Sequence, residues 1–258
     1  MPAEQILPGL YRVGGGSWNG TVATLSADMD ANVYVLAGRR AVLVDCGTVG
    51  GRSAVEANLE SAGVRPQDLR ELLLTHSHFD HTQAASLWQA EHELHTHLNA
   101  RGARYLARGD HRLVGHQMHG PEFPFRAFHV DHAVDDGETF DLGERPATAR
   151  HLPGHTPDST LYTFRHDGLT VGICGDIAFG PTALGTHAVG LLSTLWQSDL
   201  DRYVDSLIAL ARIPIDLLLP GHGAPVRGRA AVREAVTATL ATARALARNS
   251  AVRINVGV

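Results

Sequence analysis

The sequence predicts a mixed α/β sandwich in one domain spanning residues 1–258, and three observations carry that prediction. Strand-like and helix-like patterns alternate through the middle of the chain, and strand-like runs cluster at its start and again after residue 130. At 258 residues, 44% of them hydrophobic, the chain can bury a large core. No Pro/Ser-rich linker, low-complexity stretch, charge run or short-period repeat divides it.

In chain order, short β-like runs cover residues 9–13, 32–37 and 41–46, with Gly38 and Arg39 turning between the last two. Helical patterns follow at residues 53–61 and about 82–90. A strand at 93–97 leads into a helix at 98–106. Residues 109–132 contain "HGPEFPF" and keep no period, which predicts either a solvated loop or a lid over a site. Four strand-like runs come next, at 139–142, 147–152, 160–164 and 169–174. Ser198 and Asp201 have capping-box spacing, and Leu200, Tyr203, Val204, Leu207, Ile208 and Ala211 share one helical face after them. A strand at 215–219 and an alanine-rich helix at about 229–248 complete the chain.

Composition removes several function classes. All 22 basic residues are arginine, which excludes lysine-based catalysis, and they are scattered rather than striped, so nucleic acid is not an expected partner. No run approaches the roughly 20 apolar residues of a membrane span, and "MPAEQILPGLYRVGGG" does not read as a signal peptide. A cytoplasmic protein acting on a small molecule is the expectation, with the oligomeric state left open. Cys46 and Cys174 end apolar runs and read as small buried hydrophobes in a reducing compartment. The 16 histidines are the anomaly.

Four of the apolar runs end in turns that carry metal-ligand side chains. "ELLLTHSHFDH" supplies His76, His78, Asp80 and His81; "ATARHLPGHT" supplies His155; "LTVGICGD" supplies Asp176; "IDLLLPGHG" supplies His222. Ligand sites in open α/β sheets gather beyond the carboxyl ends of strands. Imidazole and carboxylate suit zinc, and also iron or manganese. Seven such ligands, one carboxylate bridging, suffice for two metals about 3.5–4 Å apart. The glycines and prolines of "PGHT", "CGD" and "PGHG" let the backbone turn sharply beside them.

The ordered set "VDCG", "THSHFDH", "PGHT", "GD" and "PGHG", spread over residues 9–224, resembles the metallo-β-lactamase-fold hydrolases, and within them the glyoxalase II-like branch. The resemblance implies a four-layer αβ/βα sandwich with two divalent metal ions at one edge, zinc before iron or manganese. It implies that His76, His78 and His155 hold the first metal, that Asp80, His81 and His222 hold the second, and that Asp176 bridges them. It also implies that Asp45 orients the histidine loop. The implied activity is hydrolysis of an ester-like bond by a metal-bound hydroxide, a thioester first and a lactone or other carboxylic ester next. Asp80 would orient the nucleophile and carry its proton.

Only about 35 residues follow His222, short of the helical domain with which glyoxalase II binds glutathione. "GHTPDS" is similar to zinc β-lactamases, but Asp176 and the lack of a signal peptide count against that activity. A persulfide dioxygenase-like oxidoreductase with one iron is the rival from another class. His95 and His97 alternate onto one strand face, read as a surface or half-buried face rather than a second metal site. His111, His116, His119, His129 and His132 fall in or at the end of the irregular segment; His151, His187 and Trp196 are weaker candidates for the site's surroundings. Arg112, Arg126 and Arg227 are the cations nearest the expected mouth.

Overall fold

The computed structural model describes residues 2–17, 23–108, 125–181, 189 and 197–249. Seven strands form a first sheet in spatial and chain order: β1 (Glu4–Leu7), β2 (Leu10–Gly14), β3 (Val33–Leu36), β4 (Ala41–Val44), β5 (Leu69–Leu73), β6 (His95–Asn99) and β7 (His132–Val134). Strands β1 to β4 pair antiparallel, and β4 to β7 pair parallel. The second sheet contains β8 (Thr139–Leu142), β9 (Arg145–His151), β10 (Thr160–His166), β11 (Leu169–Gly175), β12 (Leu217–Pro220) and β13 (Val226–Arg227), also in sequence order. Its one parallel pair is β11 with β12.

Alternating side chains divide the interior into three apolar layers. On β3, Val33 and Val35 face Val55 and Leu59 of α1 (Arg52–Ser61) and Trp88 of α3 (Ala85–His92). Tyr34 and Leu36, between them in sequence, face the second sheet, where Tyr162, Phe164, Val171 and Ile173 meet them. Leu218 points the other way from Leu217 and Leu219, into a layer with Tyr203 and Leu207 of α5 (Leu200–Leu210) and Val236 and Leu240 of α6 (Arg229–Ala247). The result is helices, sheet, sheet, helices: the four-layer αβ/βα sandwich. This period-two switching follows from the pleat, which sends successive side chains to opposite faces. No helix among the described residues is long and apolar enough to cross a membrane.

Strand directions set the position of the site. β4 and β5 run parallel, so both carboxyl ends reach one edge. β9 and β11 both run against β10, and β12 runs with β11, so these three end together. Backbone bonds from Thr160 N to the Thr75 carbonyl (3.1 Å) and from Asn32 N to the Gly221 carbonyl (2.7 Å) join the two sheets at this edge.

The structure shifts several expected elements. β6 runs two residues later than the 93–97 pattern, because Asn99 caps the next helix, α4 (Ala100–Ala107), by accepting from Arg101 N. The cap of α5 is Asp199, which accepts from Arg202 N at 2.9 Å, rather than Ser198. β1, β7 and β13 escape the pattern reading because each is short and lies at a sheet edge or beside a helix. Within the irregular segment, residues 125–131 lead into β7, which starts at His132; residues 109–124, with His111, Arg112, His116 and His119, lie outside the described residues, as do His187 and Trp196.

Candidate metal centre

Beyond β5 the chain passes through Leu74 and Thr75 to His76, Ser77 and His78, then winds one turn of helix, α2 (Phe79–Thr82), that carries Asp80 and His81. The turn is fixed by Asp45 at the end of β4. Asp45 adopts φ 52°, the left-handed region, which costs a residue with a side chain of order 1–3 kcal/mol. In exchange its carboxylate accepts Thr75 N (2.8 Å) and Thr75 Oγ1 (2.9 Å) and stands 2.8 Å from His81 Nδ1. That contact fixes the His81 ring and leaves Nε2 aimed at the site. Thr75 Oγ1 also lies 3.1 Å from His76 Nδ1, which leaves His76 Nε2 inward. Asp45→Asn is expected to lower metal affinity or activity 10–100-fold, a typical cost for losing an outer carboxylate–histidine contact, about 10–100. Titration with a metal-ion buffer reads this directly; unchanged affinity and turnover would return Asp45 to a purely structural place.

All seven predicted side chains meet at this edge. His76, His78, His155 and Asp176 form one group whose ligand atoms lie within 4.8 Å of one another, and Asp80, His81 and His222 form another. His155 Nε2 is 3.0 Å from His78 Nδ1. Asp176 stands between the groups: Oδ2 is 3.4 Å from both His155 Nε2 and His222 Nε2, and Oδ1 is 3.3 Å from His81 Nε2. Asp80 Oδ2 is 3.2 Å from His222 Nε2 and 3.7 Å from His81 Nε2. All seven are buried.

The electrostatics separate the two groups. Burial, then the neighbouring imidazoles, hold His76 and His78 far below the ordinary histidine range, and burial takes His155 down to about 4 despite Asp176. A neutral imidazole is the form that ligates a cation, and burial favours that form in all three rings. In the second group burial is overcome by carboxylates. Asp45, Asp80 and Asp176 raise His81 well above its usual value, and Asp176 and Asp80 take His222 up to about 9. Burial works against ionisation of Asp80 and Asp176, yet the adjacent histidines keep both carboxyls below the usual range. Buried polar atoms normally find a partner, but His76 Nε2, His81 Nε2 and Asp176 Oδ1 have no hydrogen bond. Divalent cations at this spot satisfy those atoms and the clustered negative charge together, so the donor set fits metal.

Several supporting residues carry no motif and escaped the sequence reading. Asn32 Nδ2 donates to the carbonyls of Pro220 (3.0 Å) and Gly223 (2.8 Å), and Tyr34 OH donates to Pro220 O (2.7 Å), clamping the His222 turn onto the first sheet. Ser198 Oγ donates to His155 O and Ser206 Oγ to Pro153 O, each at 2.6 Å, so the entrance and body of α5 hold the His155 turn. His151 Nε2 lies 2.6 Å from Pro157 O and braces the same turn. Ser77 Oγ donates to buried Asp158, joining the two loops that carry His76, His78 and His155. For Asn32 alone the sequence holds a signal, a polar residue immediately before the apolar run of β3.

Other candidates fall elsewhere. Arg227 donates to Ile6 O at 2.8 Å and is a structural tie rather than a residue of the mouth. Arg126 is exposed and lines a cavity of about 480 Å³ with Met29, Thr48, Val49, Gln83 and Leu87. His97 is buried against Glu71, while His95 is exposed, so they do not share the predicted environment although they share a face. Both cysteines are buried and free, and burial raises both thiols.

A four-layer αβ/βα sandwich with His/Asp clusters able to bind metal ions at one sheet edge defines a class of metal-dependent enzymes. Residues 27–222 match the family model of the metallo-beta-lactamase superfamily. The chain belongs to the metallo-beta-lactamase superfamily, whose members are mainly metal-dependent hydrolases. It is 27% identical over 201 residues to a probable metallo-hydrolase of Methanocaldococcus jannaschii, covering 75% of this chain and 87% of that protein. It is 27% identical over 219 residues to a Bos taurus protein named acyl-coenzyme A thioesterase, covering 74% of this chain and 72% of that one. A solved metallo-beta-lactamase of Cronobacter sakazakii shares the fold with a TM-score of 0.74 at 19% identity, over 98% of this chain and 100% of that one.

Proposed function

We propose that the protein is a dinuclear hydrolase that opens ester-like bonds, thioesters first. The observation that carries the reading is the position of Asp176, with one carboxylate oxygen near His155 and His222 and the other near His81. In this reading His76, His78 and His155 hold one ion, Asp80, His81 and His222 the other, and Asp176 both. Zinc is the first choice for imidazole and carboxylate ligands, and iron or manganese also accept this set. Two divalent ions, when bound, acidify water at neutral pH and polarise a carbonyl oxygen.

The chain's own part is geometry and proton handling. Three neutral rings and the ionised Asp176 present lone pairs at fixed positions, so little reorganisation accompanies binding. Asp80 is ionised and buried in the second group beside His222 and His81, placed to accept a hydrogen bond from the attacking water and hold its proton. The packed turns around the ligands keep these atoms still during the reaction.

Thioester hydrolysis draws support from the thioesterase name of the Bos taurus relative. With no lysine in the sequence, only arginines could meet the two carboxylates of glutathione, and Arg227, the one of these near the His222 turn, is tied to Ile6 O. The expected result is turnover of simple thioesters with little dependence on the thiol. The test compares kcat/KM for a glutathione thioester with that for the same acyl group on a small neutral thiol. A preference above about 100-fold, roughly 2.7 kcal/mol of transition-state discrimination, would mean a dedicated glutathione site. No hydrolysis of any thioester, lactone or cephalosporin, with thiol-dependent oxygen uptake instead, would replace the hydrolase by the single-iron oxidoreductase.

A further inference from the structure

Beside the metal centre, α2 and α3 carry one face outward from the ligand turn. Gln83 follows α2 in helical conformation, φ −59° and ψ −34°, and its backbone N–H donates to Phe79 O at 2.7 Å. It therefore stands one turn beyond Asp80, and side chains three apart on a helix have Cβ atoms about 5–6 Å from one another. Leu87, four residues further on, lies on α3. Gln83 and Leu87 line the cavity of about 480 Å³ that also meets Met29, Thr48, Val49 and Arg126. That volume is within the range of small-molecule sites, about 300–1,000 Å³.

The walls of the cavity are tied to the turn that carries Asp80 and His81. Ala31 N donates to Asp80 O (3.2 Å), Cys46 N to His81 O (2.8 Å) and Ala84 N to Gly47 O (3.2 Å). Buried Asp30 holds the Met29 side to the Thr48 side: its carboxylate accepts Thr48 N (2.7 Å), Thr48 Oγ1 (2.6 Å) and Ala27 N (3.0 Å). Gln83 Oε1 accepts Val49 N at 3.1 Å. Two polar groups of the lining are thus spent on the protein itself. Asp28 and Arg126, its charged members, are both exposed and of opposite sign, which puts them at the rim. What the cavity offers a ligand is chiefly apolar. Val49 is 46% exposed, and among the described residues it is the one large hydrophobic side chain left in water. An occupant that covers it together with Met29 and Leu87 gains by removing apolar surface from water.

We propose that this cavity takes the aliphatic acyl chain of the substrate, and that Met29, Val49 and Leu87 set the length of chain accepted. The inference rests on the hydrolase reading above and deepens it. A thioester presents two arms to the centre, an acyl chain and a thiol. A thiol such as glutathione carries carboxylates, which need fixed cations. A saturated acyl chain needs only apolar walls. With its carbonyl carbon among the seven ligands, a substrate lays one arm along the α2–α3 face, and the lining fits the apolar arm. The thiol arm is then left outside the cavity, in keeping with turnover that depends little on the thiol.

The test measures kcat/KM for acetyl, butyryl, hexanoyl and octanoyl thioesters of one small neutral thiol, using the full chain loaded with zinc ions. The expected result is a rise of about threefold per added methylene until the cavity is filled. In Val49→Asp the octanoyl-to-acetyl ratio should fall at least about tenfold, because a carboxylate resists burial under a hydrocarbon chain. The ratio is read within one protein, so a general loss of activity does not imitate the effect. Leu87 is half-buried on a helix, and Leu87→Gln serves as the second variant if Val49→Asp does not fold. In parallel, uncharged 1-octanol should shift the amide signals of Val49, Gln83 and Leu87 in the wild type and not in the variant. Hydrolysis of all four thioesters at one rate, or a rise that follows the length of the thiol instead, would overturn the proposal and leave the hydrolase reading standing. If no thioester is hydrolysed, the hydrolase reading falls; 1-octanol shifting those three amides would still mark the cavity as an aliphatic site, and no shift would overturn that as well.

Discussion

Asp176→Ala is expected to cost at least about a thousandfold in kcat/KM, or about 4 kcal/mol of transition-state stabilisation, and to lower metal content in the same preparation. Asp176 is the only one of the seven whose two ligating atoms address both groups, at 3.3–3.4 Å from His81, His155 and His222. In the proposed centre, removing it takes one ligand from each ion, deprives His222 of its largest counter-charge and takes from His81 one of three neighbouring carboxylates. Elemental analysis and kinetics on one sample should therefore fall together. If the variant keeps two ions and wild-type turnover, the bridging role is wrong. If it keeps activity with one ion, the chemistry belongs to a single metal.

Gly221→Ala should produce a loss of about a hundredfold or more by a steric route that replaces none of the seven residues. A Cβ on Gly221 would stand 2.2 Å from Asp176 Oδ1 and 2.7 Å from His81 Cε1, with the Gly175 backbone 3.2 Å away on the third side. Asp176 and His81 cannot both keep their places. The loss should appear first as weaker binding of metal, since both displaced groups are ligands in the proposed centre. Gly50→Ala is the matched control, because a Cβ there meets nothing closer than 3.8 Å. Equal metal affinity in the two variants would show that the cradle tolerates a methyl group and does not hold Asp176 and His81 in place.

The sequence was most legible where chemistry and pattern coincide. "THSHFDH", "PGHT", "GD" and "PGHG" each follow an apolar run, and the strand directions explain why four distant turns reach one edge. The apolar runs in "NVYVL" and "DLLLP" were equally readable as strands, because layers on both faces of a sheet demand apolar residues in both phases. Residues acting through the backbone were not. Asn32, Tyr34 and Ser198 hold carbonyls of the His222 and His155 turns, and no spacing rule marks a side chain that bonds a carbonyl 43 to 191 residues away. The α5 cap was misplaced by one residue, since Ser198 and Asp199 are both good caps and only the fold engages Ser198 with His155. His97 read with His95 as a surface or half-buried strand face; its full burial depends on Glu71 and His132, which are distant in sequence.

Metal stoichiometry against activity tests the central claim most directly. The metal-free protein is titrated with zinc ions while hydrolysis of a simple thioester is followed, and bound metal is counted at each point. A dinuclear centre built by these seven residues predicts saturation at two ions per chain, with full turnover reached only as the second ion binds. Full thioester hydrolysis at one ion per chain, with no further change on adding the second, would contradict it.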